Sequence, residues 1–169
     1  MTVTQILGLT AGAAALLVAG TFALPRHIEI TRSALVPAAP EAVLALAASS
    51  EGYQSFNPYL SKDPALKISP FGPSTGVGAG FHFDGKDGKG SQTVADMTAD
   101  TVHFNIDLGP MGQPRQSITA RPSESGSEVI WRMKADLGMN PIARVFGLFM
   151  DRMIGKTFET GLANLQKAA

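Results

Sequence analysis

The stretch Asn140–Leu165, NPIARVFGLFMDRMIGKTFETGLANL, decides the fold of this 169-residue chain. Asn140 is a favourable helix N-cap and Pro141 fits a first helical turn, so the sequence predicts a helix that begins here and runs to Lys167. A helix of about 28 residues is roughly 42 Å long. A terminal helix of that length can lie diagonally along the dry face of a curved sheet.

The first half of this helix is too apolar for a single core-facing stripe. Phe158, Leu162 and Leu165 have the spacing of an ordinary core face. Residues 145–154 add a wider arc, made of Val145, Phe146, Leu148, Phe149, Met150, Met153 and Ile154. This arc requires a second apolar neighbour, which could be a ligand in a cavity, a partner subunit or a bilayer surface. The alternative is a thickly packed core without a cavity.

Short alternating segments upstream of the helix predict an antiparallel sheet of about seven strands. They are HIEITRSALV (27–36), ALKISPF (65–71), GFHFDG (80–85), SQTVADM (91–97), TVHFNIDL (101–108), RQSITARP (115–122) and EVIWRMKADL (128–137). In HIEITRSALV, GFHFDG, TVHFNIDL and EVIWRMKADL, one face is apolar and the other mostly polar, which is typical of a sheet covered on one face only. Two further segments, EAVLALAAS (41–49) and EGYQSFNPYL (51–60), predict two short helices. This order of elements indicates an α+β domain with its helices on one side of the sheet.

The N-terminal residues form a separate unit in this interpretation. Ile6–Leu24, ILGLTAGAAALLVAGTFAL, contains 19 residues without a charge, enough for a helix that crosses a bilayer. We therefore expect a membrane anchor over residues 1–25 and a ligand-binding domain over 26–169, with the chain crossing the membrane once. A secretory signal is the alternative, and the side of the membrane stays open. Gly8 and Gly12 would allow a weak homodimer through the anchor.

Composition excludes several classes of function. Lys and Arg total 14, equal to Asp and Glu, so there is no electrostatic reason to expect a nucleic acid partner. The chain has no cysteine, which excludes disulfides and thiol nucleophiles, and its three histidines lack metal-ligand spacing. Gly72–Gly76, GPSTG, has the spacing of a nucleophile elbow but is not followed by a helix, so it is interpreted as a turn. We predict no catalytic residue, no metal and no cofactor.

Four segments in this order resemble the polyketide cyclase/dehydrase branch of the START-like (SRPBCC) superfamily, which has the helix-grip fold of Bet v 1-type proteins. They are RSALVPAAPEAVLAL, DPALKISPFGPSTGVGAGFHFDG, SEVIWRMKADL and VFGLFMDRMIGKTFETGLANLQ. Where that family pattern has tryptophans in the second short helix, this chain has Tyr53, Phe56 and Tyr59. The resemblance implies a bent antiparallel sheet that grips the C-terminal helix, with an apolar cavity between them.

The leading hypothesis is a membrane-tethered binding or carrier domain for a lipid-like or other apolar small molecule. The expected lining is Phe81, Phe83, Phe104, Ile106, Trp131 and Met133 from the sheet, with Phe146, Phe149, Met150 and Met153 from the helix. One alternative is an enzyme of the cyclase, dehydratase or hydrolase type that uses the same cavity. Another is a partner-docking membrane protein with a filled core, marked by an exposed apolar patch.

Overall fold

The computed structural model describes residues 18–169 and the single positions 5, 12 and 16. The domain has a seven-stranded antiparallel sheet in the order β1-β7-β6-β5-β4-β3-β2, which confirms the predicted α+β helix-grip class. The strands are β1 His27–Val36, β2 Lys67–Phe71, β3 Gly80–Gly85, β4 Gly88–Met97, β5 Thr101–Asp107, β6 Arg115–Ser123 and β7 Gly126–Asp136. The helices are α1 Pro40–Ala48, α2 Ser50–Phe56, α3 Pro58–Lys62 and α4 Pro141–Ala168.

The second predicted short helix is two helices, so the expected count was wrong by one. Asn57 separates α2 from α3 with an extended ψ of 112°, and its side chain accepts a hydrogen bond from Tyr59 N. Proline disfavours a helical conformation in the residue before it and has no N–H to donate. Pro58 therefore ends α2 at Phe56 and opens α3.

Alternation along the strands places one set of side chains under α4. In β5, the side chains of Val102, Phe104 and Ile106 are buried. In β7, Val129 and Trp131 are buried, and the residues next to them in that strand are not. The cross-strand register pairs Ile118 of β6 with Trp131 of β7, so the buried residues of adjacent strands share one face. This concave face carries the core.

Helix α4 begins as predicted, with the Asn140 side chain accepting hydrogen bonds from Ile142 N and Ala143 N. It then lies along β1 and against α2 and α3. Its C-terminal half buries Phe158 and Leu162 in the core. Gly161 lets the helix approach the ring of Trp131, because a Cβ at that position would collide with the indole.

The predicted membrane anchor falls largely on residues outside the described set. Residues 18–21 are helical and Val18 and Phe22 are exposed. No helix among the described residues combines the length and the apolar character that crossing a membrane requires. The anchor and the boundary at residues 25–26 therefore stay predictions.

Candidate functional site

The six sheet residues predicted to line a ligand site do share the concave face. The structure buries Phe81, Phe104, Ile106, Trp131 and Met133, and Phe83 is partly buried against the same core. They come from three strands, β3, β5 and β7, and the antiparallel register brings them together: Phe104 pairs across the ladder with Gln116, which in turn pairs with Met133. Sequence alternation was sufficient to find this wall.

The four predicted helix residues do not line the interior as a group. Met150 is partly buried and packs against the core, but Phe146, Phe149 and Met153 are 52%, 59% and 53% exposed. With about 100° per residue, the nine-residue step from Phe149 to Phe158 leaves these two rings on opposite sides of α4. Since Phe158 faces the core, Phe149 faces outward.

Aromatic side chains fill the space between α4 and the sheet. The indole of Trp131 stacks on Phe158, and the rings of Phe56 and Tyr53 meet Trp131 edge-on at 5.8 and 6.1 Å between centroids. An internal cavity beside Tyr53 and Phe104 has a volume of about 10 Å³, room for about one water molecule. Around Tyr53, Phe104 and Trp131 the described residues therefore form the thickly packed core of the alternative hypothesis, and the space there is far smaller than the cavity that the resemblance implies.

Two glutamines supply the polar groups of this interior. Trp131 Nε1 donates a hydrogen bond of 2.8 Å to Gln116 Oε1, and both side chains are buried. Gln92 lies on β4 and lines the small cavity together with Tyr53. Sequence reasoning missed both glutamines, although Gln116 shares the alternation of Ile118 and Ala120 in β6 and was thereby marked as inward-facing.

Titratable groups are scarce on the buried side of the described residues. Those less than a tenth exposed are Tyr53 and Arg144. Burial raises the pKa of the Tyr53 hydroxyl above its ordinary value, and the nearby Gln92 side chain opposes this rise in part. Tyr53 therefore stays neutral at physiological pH and can orient a polar group of a ligand only as a hydrogen-bonding phenol.

Partly buried apolar residues surround one end of the wall. Ile28, Phe83, Met150 and Ile154 pack against the core without being fully enclosed. The backbone of α4 lies along β1 and makes little contact with β3–β6. Met150 and Ile154 of α4 therefore cover part of the core beside β1, and Phe83 covers another part from β3.

The outer face of the sheet is polar, as expected. An open depression of about 550 Å³ is bordered by Lys67, His82, Asp84 and Lys89, where Lys89 Nζ and an Asp84 oxygen form a 2.8 Å ion pair. Among residues 18–169 and the three isolated positions, no three metal-ligating side chains cluster. The GPSTG segment forms bends, with positive φ at Gly72 and at its last glycine, and is not an elbow before a helix.

A comparison with known protein families relates this domain to one of them. Residues 27–169 match the family described as "Polyketide cyclase / dehydrase and lipid transport". The chain belongs to this family. The match confirms the resemblance inferred from the four sequence segments, and it covers the sheet and all four helices of the domain. A comparison with curated proteins gave no match.

Solved structures share the fold at low sequence identity. The KanY protein, solved by NMR, is 22% identical with a TM-score of 0.63, covering 83% of this chain and 96% of its own. Protein BH1534 of Bacillus halodurans is 13% identical with a TM-score of 0.61, covering 85% and 99%. The di-domain aromatase/cyclase StfQ of the steffimycin biosynthetic pathway is 12% identical with a TM-score of 0.60; the match covers 85% of this chain and half of StfQ. These similarities establish the helix-grip architecture.

Proposed function

We propose that this chain is a membrane-tethered domain that binds a lipid-like or other apolar small molecule on the concave face of its sheet. The observation that carries the proposal is the largely apolar concave face together with the partly buried residues that pack against its core, namely Phe83, Met150 and Ile154. The family description, which includes lipid transport, supports the same class of ligand.

The filled interior requires an opening step before a ligand enters. The first half of α4 must move away from β1 and separate Met150 and Ile154 from the core. Fully exposing one such side chain costs about 1.5–3 kcal/mol, and these two are already partly exposed, so the total cost is a few kcal/mol. Burial of ten ligand methylenes gains about 8 kcal/mol, which exceeds this cost and leaves weak to moderate affinity after the entropy of binding.

Opening of this kind predicts slow, conformation-limited binding. If only a small fraction of molecules is open without ligand, the apparent dissociation constant rises by the inverse of that fraction. One glycine of the moving segment, Gly147, lowers its helix propensity by about 1 kcal/mol relative to alanine.

The tether is Ile6–Leu24 in this proposal. Arg26, two residues after the end of this stretch, forms a bidentate ion pair with Asp136 at the end of β7. This contact would hold the domain close to the membrane, near a supply of apolar ligands.

The test is the presence and position of a bound lipid. Native mass spectrometry of the chain from Pro25 onward, first checked for folding by circular dichroism, should detect a co-purifying apolar molecule, and a fluorescent fatty-acid analogue should bind it. Met150→Asp should weaken probe binding at least about tenfold, whereas the exposed Ala163→Asp on the same helix should not. Absence of both a co-purified lipid and probe binding would reject the proposal.

A second candidate function, docking of a partner surface by the outside of α4, has its own observation in favour. The filled interior occurs together with a large exposed apolar area on the first half of this helix. An enzymatic role has less support, because Tyr53 is the one titratable side chain that the described residues place among the aromatic rings.

A further inference from the structure

The first half of α4 presents an apolar surface to the outside of the molecule. We call this surface the outer arc; it consists of Ile142, Val145, Phe146, Leu148, Phe149 and Met153, each between 42% and 79% exposed. Residues 142–153 of a helix extend over about 18 Å. Six large apolar side chains in that length form a contiguous patch of the kind that marks an interaction site.

The outer arc stops abruptly in the middle of the helix. Beyond Met153 the exposed positions of the helix are Lys156, Glu159, Ala163, Gln166, Lys167 and Ala168. The two halves of α4 therefore have different neighbours on their outer side, although one helix and one sheet support both. The outer side of the first half is apolar and suits contact with an apolar neighbour, whereas the outer side of the second half is mostly polar and suits contact with water.

The end of the uncharged N-terminal stretch is fastened beside the outer arc. The guanidinium of Arg144, which is buried, donates hydrogen bonds to the carbonyl oxygens of Phe22 at 2.9 Å and Leu24 at 3.4 Å. It also donates to Gly138 O and lies 5.4 Å from the centroid of the Phe22 ring. If Ile6–Leu24 crosses a bilayer, as proposed above, the outer arc starts at the membrane surface.

Charges around the outer arc suit a phosphate-bearing surface. Arg152 and Lys156 are exposed at its edge and can extend their charged ends towards lipid phosphates while their stems contact apolar groups. The acidic residue within the arc's length, Asp151, is turned away and ion-paired with Arg32 of β1. An apolar helix face with cations at its border is the pattern of a helix that lies in a membrane interface.

We propose that the outer arc lies in the interfacial layer of the bilayer, with α4 parallel to the membrane plane and Arg144 joining it to the end of the tether. This goes beyond the proposed tether because it places the domain flat on the lipid surface instead of free on a linker. It also places the partly buried end of the concave wall, at Met150, next to the lipid.

The absence of cysteine makes the contact measurable in the full chain. Single variants Phe149→Cys and Ala163→Cys are labelled with an environment-sensitive dye and incorporated into vesicles of neutral and anionic phospholipids. The dye at residue 149 should be quenched by lipids that carry a spin label near the head group and protected from aqueous iodide. The dye at residue 163, on the polar half of the same helix, should show the reverse.

Flotation of the vesicles separates the two membrane proposals. In one outcome, the chains float but iodide quenches the dye at residue 149 as strongly as the dye at residue 163. This result would support the tether and contradict contact of the outer arc with the membrane. Protection from iodide without quenching by labelled lipid would also overturn it, because a second copy or the chain's own N-terminal residues would then cover the arc. Chains that fail to float would reject both. A supporting second result is an at least about tenfold weaker vesicle association of Phe149→Glu than of Ala163→Glu.

Discussion

Trp131 of β7 and Phe158 of α4 stack with 4.8 Å between ring centroids and 12° between ring planes. Each is about 1% exposed, and the contact lies where the second half of α4 meets the sheet. The pair fixes the second half of α4 on the sheet, whereas the first half is held by partly buried side chains such as Met150. The two halves of this helix therefore differ in how completely they are packed.

Truncation of the stacked ring should damage the fold, whereas truncation of an outward ring should not. Phe158→Ala is expected to lower the free energy of unfolding by about 3–5 kcal/mol, because it leaves a cavity under Trp131. Phe149→Ala removes the same atoms from an exposed site and should change it by less than about 0.5 kcal/mol in the absence of membranes. Urea denaturation measures both, and equal losses would contradict the assigned orientation of α4.

Two glycines of α4 should respond in opposite ways to alanine. A Cβ at Gly161 would collide with the stacked indole of Trp131, so Gly161→Ala should cost about 1–3 kcal/mol despite better helix propensity. A Cβ at Gly147 would meet the flexible end of Leu137, which can move. Gly147→Ala should therefore be neutral or stabilising by up to about 1 kcal/mol. Thermal melts of the two variants test the ranking, and its inversion would refute the close approach at Trp131.

Arg144 should control the order of the segment before β1. Arg144→Met keeps the aliphatic stem but removes the hydrogen bonds to Phe22 and Leu24. Amide exchange at Ala23 and Leu24 is expected to accelerate at least about tenfold, because their support is lost. The exposed Arg152→Met is the control and should leave these amides unchanged. Unaltered exchange in Arg144→Met would show that the guanidinium does not hold this segment.

The ion pair between Arg26 and Asp136 should appear in the pH dependence of stability. The hydrogen bonds from Arg26, and secondarily from Gly138 N, lower the pKa of Asp136 below its ordinary value of 3.8. A lowered pKa in the folded state adds stability that is present above about pH 4 and lost as the pH falls further. The difference in melting temperature between the unmodified chain and Asp136→Asn should therefore shrink below pH 4.

Two controls accompany this pH measurement. Asp136→Asn should have little further effect in an Arg26→Gln background, since the same contact has already been removed. High salt should also reduce the difference, because both side chains are exposed to solvent. A difference that stays constant from pH 7 to pH 2 would contradict the lowered pKa.

The fold was predictable because strand alternation and the helix signals agreed. Alternation in TVHFNIDL and EVIWRMKADL correctly placed Phe104 and Trp131 on the dry face, and Asn140–Pro141 correctly marked the start of α4. The break at Asn57 was missed because Tyr53, Phe56 and Tyr59 keep a helical spacing across it. The effect of Pro58 on the residue before it was the stronger signal.

The site was only half predictable, for a physical reason. A strand has two faces, so polarity alone tells which side chains point inward. A helix residue such as Phe149 can be apolar because it faces a core, a ligand or a membrane, and the sequence does not distinguish these neighbours. Volume is also invisible in a sequence: whether Trp131 and Phe158 leave a cavity depends on how closely Gly161 lets α4 approach.

The central claim, that a ligand enters when the first half of α4 leaves β1, is tested most directly by a reversible lock. A Cβ at residue 147 would lie 3.6 Å from Ile28 Cγ2, the place that the sulfur of a cysteine at residue 28 can take, so a disulfide is within reach in an Ile28→Cys/Gly147→Cys variant of this cysteine-free chain. The affinity for a fluorescent fatty-acid analogue should fall at least about tenfold when the lock is oxidised and return when it is reduced. Equal affinity in the oxidised and reduced forms would contradict the claim.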